Sequence, residues 1–193
     1  MTGTIFTGSV LEDARGIIAR YPDGRERSAI MPLLYLAQSE QGMVTREAIG
    51  EIGGLLGITA AEVEAVASFY TMYRLRPTGE HLVNVCTNLA CMLRGAKDVY
   101  EAAHQAAGTA PGADVSDDGL VTVHEEECLG VCDFAPAVQI DLANHDEVTP
   151  ERIAQLIAQL RSGRVPTPAR GPAMTSFRHA SRVLAGLEEV PAG

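Results

Sequence analysis

The sequence predicts an α+β chain: a small N-terminal helical module followed by an α/β domain with a mixed sheet. Three observations predict it. Residues 9–70 carry apolar residues at helical spacing, punctuated by capping and turn signals. After "RLRPTGE" at 74–80 the pattern switches to short alternating runs separated by helical stretches. All four cysteines of the 193-residue chain lie in this second part, as two pairs, each directly after an alternating run.

The first helix is read in "SVLEDARGIIARY", with Ser9 and Glu12 in capping-box spacing and Leu11, Ile17, Ile18 and Tyr21 as its apolar positions. "YPDG" is a turn. "SAIMPLLYLAQSEQG" is a second helix, starting near Ser28 so that Pro32 falls in the first turn and ending at Gly42. "TREAIGEIGGLLG" follows, with Thr45 as its cap. "TAAEVEAVASFY" is the fourth, opened by a Thr59–Glu62 capping box. These few residues are expected to be too small for a large core of their own, leaving apolar surface for a partner. Pro77 and Gly79 mark the linker.

Beyond it, "HLVNVC" reads as a strand ending in Cys86. "LRGAKDVYEAAHQAAG" reads as a helix ended by Gly108. "TAPGADVSDDG" is a polar loop with room for a further strand. "LVTVHEEEC" is a second strand ending at Cys128, and "AVQIDL" a third. "TPERIAQLIAQL" begins with Thr149 as cap and Pro150 at the first helical position, a strong helix start. Residues 161–193 contain Pro166, Pro168, Pro172 and Pro191, with one short amphipathic helix possible in "SFRHASRVLAGL". The expected organisation is 1–79 helical module and linker, 80–160 cysteine-bearing α/β domain, and 161–193 basic tail. Such a tail could fold back over the acidic domain of its own chain, but it is expected to order on a partner or to stay disordered, because it has few large apolar groups.

Charge narrows the function classes. Net charge is −10, with residues 80–160 at −11 and the tail at +3. A nucleic-acid binder needs a basic footprint, and this chain lacks one. No apolar run is long enough to span a membrane. The N-terminus has neither a basic n-region nor an apolar h-region, so no signal peptide is expected and the chain is read as cytoplasmic. There is no Gly-rich phosphate loop of Walker or Rossmann type, so nucleotides are expected on a partner.

Cys86 and Cys91 are spaced C-x₄-C in "VCTNLACMLRGA"; Cys128 and Cys132 are spaced C-x₃-C in "EEECLGVCDFAP". Three chemistries are open. Disulfides are rare in a reducing compartment. Structural zinc sites usually offer C-x₂-C pairs. Four thiolates suit a [2Fe–2S] centre, two on each iron. Gly95 and Gly130 permit positive φ near the cysteines. Leu89, Met92, Leu93, Leu129, Val131 and Phe134 are expected to exclude water around them. Pro136 is expected to fix the turn after Cys132. His124 is expected to sit on a strand face and not to ligate.

The two cysteine motifs, with "LG" between the second pair and "AP" after it, resemble the thioredoxin-like [2Fe–2S] ferredoxin family. The likeness is to its branch of 24-kDa-type subunits, the E-type subunits of bacteria, in NADH:quinone oxidoreductase (respiratory complex I). It extends upstream to "RSAIMPLLYLAQSEQG" and "EVEAVASFYTMYRLRPTGEH" and downstream to "TPERIAQLIAQL". The resemblance implies a thioredoxin-like domain in which Cys86, Cys91, Cys128 and Cys132 hold one [2Fe–2S] cluster. It implies an electron-transfer subunit of an NADH dehydrogenase complex, with no complete active site in this chain. The cluster would exchange one electron with a flavin, off the main chain of clusters to quinone. FMN and NADH would be carried by a flavin-bearing, NADH-binding partner of the F type, beside other peripheral-arm subunits at the cytoplasmic face of the membrane. The same kind of subunit recurs in NAD-dependent formate dehydrogenases and NAD(P)-linked hydrogenases. A zinc-stabilised adaptor is the non-redox alternative.

Overall fold

The computed structural model describes residues 4–110 and 112–190. The chain divides into two compact units, one of residues up to Pro77 together with Arg178–Val190, the other of Thr78–Phe177.

The first unit holds α1 (Gly8–Ile18), α2 (Ile30–Gln41), α3 (Arg46–Leu56) and α4 (Ala60–Phe69). A short 3₁₀ turn, Glu26–Ala29, leads into α2 and puts Pro32 in its first turn, where no intrahelical N–H is needed. Gly42 ends α2 in the left-handed conformation. Thr45 accepts from Ala48 N and caps α3. Thr59 and Glu62 form the reciprocal capping box of α4. The capping box expected at Ser9 does not form. Thr7 is the extended residue before α1, and its carbonyl takes the Val10 and Leu11 N–H groups, so Ser9 already lies inside the helix.

This unit has its own core, contrary to expectation. Ile17, Leu33, Leu34, Leu36, Val44, Ile52 and Val63 are buried together. Buried Gln38 is satisfied: its Nε2 donates to Met72 O and Ser181 Oγ, and its Oε1 accepts from Arg74 N. The tail supplies the missing helix. In α8 (Phe177–Leu184), the residues from Arg178 onward belong to this unit. Ala185 joins the core and Leu187 packs against it. Arg182 reaches Asp13, Glu40 and Glu188, and Arg20 donates to the carbonyls of Ala185 and Gly186. The tail therefore orders on its own chain. Small residues allow close approach, and one arginine finds three carboxylates, which offsets ordering that a lone extended segment could not.

The second unit is a four-stranded mixed sheet in the order β2-β1-β3-β4. β1 (His81–Cys86) is parallel to β2 (Val121–Glu126), with His81 opposite Val121 and Cys86 opposite Glu126. α5 (Leu89–Leu93) and α6 (Ala96–Ala107) make the crossover between them. β3 (Val138–Ile140) runs antiparallel to β1, and β4 (Ala143–His145) antiparallel to β3. α7 (Pro150–Arg161) starts at the Thr149 cap and packs Ile153, Leu156, Ile157 and Leu160 with Val99 and Ala103 of α6. Every residue of β1 is buried, as a central strand requires.

Two details differ from the sequence reading. "AVQIDL" is not one strand: the chain turns at Asp141 and Leu142, both at positive φ. Among the described residues of the polar loop at 109–119, strand pairing is limited to isolated bridges, Thr109 to Ser116 and Val115 to Thr122. Past α7, Ala169 N donates to Asn144 O and Arg170 pairs with Asp146, which pins the Pro-rich stretch along β4. Among the described residues, no helix is long and apolar enough to cross a membrane.

Candidate metal centre

Both cysteine pairs sit at the same end of the parallel β1–β2 pair. This follows from the register: the strands run in the same direction and Cys86 is level with Glu126. A parallel pair delivers both following loops to one edge of the sheet.

Cys86 closes β1, and its N–H donates to Ala137 O. Asn88 caps α5 with its own side chain, Oδ1 accepting from Leu89 N. This one-turn helix carries Cys91 inward: Cys86 and Cys91 are each 2% exposed. Gly95, at φ +93°, turns the chain into α6. On the other loop Cys128 is exposed, and Gly130, at φ +77°, bends the chain back to Cys132, also exposed. The Cys128 and Cys132 sulfurs stand 3.6 Å apart. Ala135–Pro136 is a cis peptide. Phe134 O and Pro136 O accept from Glu147 N and Val148 N and hold this loop in place.

The loops are tied together beside the sulfurs. Thr87 Oγ1 donates to Glu125 at 2.6 Å, and Asn88 Nδ2 to Glu127 at 2.7 Å. These glutamates are therefore more than a solvated strand end.

Two of the four thiols, Cys91 and Cys132, are raised above the ordinary cysteine value. Burial pushes the Cys91 thiol up to about 11, opposed by the Ala137 N–H directed at its sulfur and reinforced by Cys86 and Cys132. Cys132 is raised chiefly by the Cys128 thiol beside it. Cys91 and Cys132 thus hold their protons more tightly than free thiols, and a cation that binds thiolates would displace them. Among the described residues, no three Cys, His, Asp or Glu side chains converge tightly enough to hold a single metal ion. The donors are arranged as two pairs.

The apolar surroundings divide in two. Val131, Ala135, Ala137 and Ala96 are buried around Cys86 and Cys91, with Leu129 packed against them. Leu89, Met92, Leu93 and Phe134 are not part of that collar: Leu89 is 72% and Leu93 80% exposed. α5 is so short that pointing Cys91 inward turns its flanking leucines to solvent. His124 is half-buried on β2, opposite Asn84. The sequence reading missed Thr87, Asn88 and the Ala137 amide. Thr87 and Asn88 lie within the first cysteine motif, but their partners lie nearly forty residues away.

A family model described as thioredoxin-like [2Fe-2S] ferredoxin matches residues 14–161. The E-type subunit of the NADH-quinone oxidoreductase of Mycobacterium tuberculosis is 45% identical over 177 residues, covering 92% of this chain and 69% of that protein. Subunit 2 of the Thermus thermophilus NADH-quinone oxidoreductase is 43% identical over 147 residues, covering 76% of this chain and 81% of that one. Among solved structures, an NAD+-reducing [NiFe]-hydrogenase in the H2-reduced state aligns with a TM-score of 0.60 at 22% identity. That alignment covers 71% of this chain and 22% of the hydrogenase chain, and it speaks for the fold alone. With the family match spanning most of its length and these relatives covering most of theirs, the chain belongs to the thioredoxin-like [2Fe–2S] ferredoxin family.

Proposed function

We propose that this chain is the electron-transfer subunit of an NADH:quinone oxidoreductase, with Cys86, Cys91, Cys128 and Cys132 holding one [2Fe–2S] cluster. One observation carries the ligand assignment: both cysteine loops leave the same end of the parallel β1–β2 pair, and the Cys128 and Cys132 sulfurs there stand close together. A tetrahedral metal bound to two sulfurs at about 2.3 Å holds them about 3.8 Å apart. The 3.6 Å between Cys128 and Cys132 fits one such metal. Cys86 and Cys91 then serve the second, which favours two irons over one zinc.

When bound, the cluster supplies one-electron chemistry, which a hydride-accepting flavin needs beside it. The residues of this chain do the rest. The Ala137 N–H is directed at the Cys91 sulfur and stabilises its thiolate form. Val131, Ala135 and Ala137 keep water from the inner pair. The exposed apolar group around α5 offers a surface for the subunit that carries FMN and NADH. The complex is placed at the cytoplasmic face of the membrane, with this chain peripheral to it.

Visible and EPR spectra of the dithionite-reduced protein test the reading. A [2Fe–2S] signal that each of Cys86→Ser, Cys91→Ser, Cys128→Ser and Cys132→Ser diminishes is expected. Stoichiometric zinc without iron, or an unchanged signal in Cys86→Ser or Cys132→Ser, overturns it. Co-purification with a hydrogenase or formate dehydrogenase subunit, in place of quinone-reductase subunits, would reassign the complex while leaving the cluster.

A further inference from the structure

The four cysteines differ sharply in access. Cys86 and Cys91 are sealed under Ala96, Val131, Ala135 and Ala137, whereas Cys128 and Cys132 are exposed. The exposed sulfurs are already 3.6 Å apart. A disulfide needs them at about 2.05 Å, so a closure of about 1.6 Å is required. Gly130, between them, has open space around its Cβ position and a conformation that other residues resist.

We propose that, in the cluster-free chain, Cys128 and Cys132 close into a disulfide that blocks cluster insertion, while Cys86 and Cys91 stay reduced. The inference rests on the four-cysteine reading of the metal centre. The oxidant is a small disulfide, RSSR. One protein thiolate attacks it, forms a mixed disulfide and releases RS⁻. The second protein thiolate attacks the protein sulfur of that mixed disulfide and releases the other RS⁻. Two protein thiols lose two electrons and two protons; RSSR gains both and leaves as two RSH. Only the inner pair then remains to bind metal, and one of the two metal positions has no thiolate. A thiol reductant reverses the step, so the exposed pair gates assembly of the site.

Glu125, Glu126, Glu127 and Asp133 flank the exposed pair in sequence and disfavour an anionic oxidant. The probe is therefore the neutral bis(2-hydroxyethyl) disulfide, applied to the full-length chain after iron removal. Peptide mapping should find the Cys128–Cys132 disulfide, with Cys86 and Cys91 alkylated as free thiols after denaturation. Cys132→Ser should stop at the mixed disulfide on Cys128, and Cys128→Ser at that on Cys132. Cluster uptake is then followed from a carrier protein loaded with a labile [2Fe–2S] cluster, without thiol or free sulfide, since either would reopen the disulfide. The oxidised chain should take up no cluster and recover after dithiothreitol treatment and desalting. A disulfide involving Cys86 or Cys91, mixed disulfides persisting on both outer cysteines, or equal uptake by oxidised and reduced chains overturns the proposal. Failure of the reduced chain itself to take up a cluster is a different result: it overturns the ligand assignment, and the gate with it.

Discussion

His81 Nδ1 lies 2.6 Å from Asp141 Oδ2, and both side chains are buried. The other Asp141 oxygen accepts from Leu82 N, and Asp141 N donates back to Leu82 O. The pair thus clamps β1 to the β3–β4 turn at its strained point, where Asp141 has φ +48° and Leu142 φ +72°. Aspartate tolerates that region better than most residues; leucine does not.

This pair makes stability depend on pH. Burial disfavours the charged imidazole, but the hydrogen bond and charge of Asp141, helped by Glu80, outweigh it and raise the His81 pKa. Burial likewise raises Asp141, against the His81 contacts. Both shifts mean that the folded pair holds a proton more tightly than the unfolded chain does. The His81 part is full below the ordinary histidine value of 6.5 and is lost as pH rises through the folded His81 pKa, while the raised Asp141 loses its part in a separate window that opens above the ordinary aspartate value of 3.8. Asp141→Asn keeps the shape and tolerates positive φ, so it isolates the charge. It should cost on the order of 3 kcal/mol at about pH 6, and flatten the decline in stability above it. Urea unfolding across that range reads both effects; parallel pH profiles for the two proteins would count against the pair.

Much of this was legible locally. Thr45, Thr59 and Thr149 cap the helices they were expected to cap, and Gly95 and Gly130 take positive φ beside the cysteines. Both cysteine pairs follow the strands their motifs predict. What was hidden depends on distant partners. The break at Asp141 and Leu142 is held by His81 and Leu82, sixty residues away, so "AVQIDL" read as one run. Gly79 looked like a linker residue, yet a Cβ there would stand 2.9 Å from the Leu120 carbonyl carbon and oxygen, so close packing demands it. Leu89 and Leu93 were read as shielding because a five-residue helix is too short for periodicity to assign a face.

The glutamates before Cys128 should tune the centre. Each adds negative charge near the cysteine sulfurs, and reduction of the proposed cluster adds more. Glu125 and Glu127 are held there by Thr87 and Asn88, so they are less free to swing away than solvated carboxylates. Glutamine keeps a hydrogen-bonding oxygen at each position and removes the charge. The triple Glu125→Gln, Glu126→Gln, Glu127→Gln change should raise the midpoint potential, most clearly at low salt, since screening acts over about 8–10 Å at ordinary ionic strength. An EPR-monitored redox titration decides it, and an unchanged or lower potential in a folded variant removes the glutamates from the account.

α8 should behave as part of the helical unit. Arg182 reaches Glu188 at 2.6 Å, Glu40 at 3.2 Å and Asp13 at 3.4 Å, and the Gln38–Ser181 hydrogen bond is buried. Arg182→Ala should destabilise the unit by about 1 kcal/mol, the scale of a partly exposed network. It should also speed proteolytic clipping around residues 178–190, whereas Arg164→Ala, at an exposed site before the helix, should not. Slow and equal clipping in both variants would mean that apolar packing of Ala185 and Leu187 holds the helix without the charges.

The exposed apolar group on α5 should be a docking surface for the flavin-bearing subunit. Leu93 is 80% and Leu89 72% exposed, and neither contributes to the collar around the inner cysteines. In the proposed function these solvent-facing leucines lie beside the cluster, and a partner that exchanges electrons with it must approach the cysteines closely. The helical unit offers a competing surface, with Phe69 77% exposed beside Tyr70. Leu93→Glu and Phe69→Glu separate the two without disturbing either core. Leu93→Glu should keep its cluster spectrum but weaken binding by roughly thirtyfold or more, as loss of a central interface residue worth about 2 kcal/mol does. Titration calorimetry against the purified flavin-bearing subunit measures this. Wild-type affinity in Leu93→Glu with loss of binding in Phe69→Glu would move the docking surface to the helical unit.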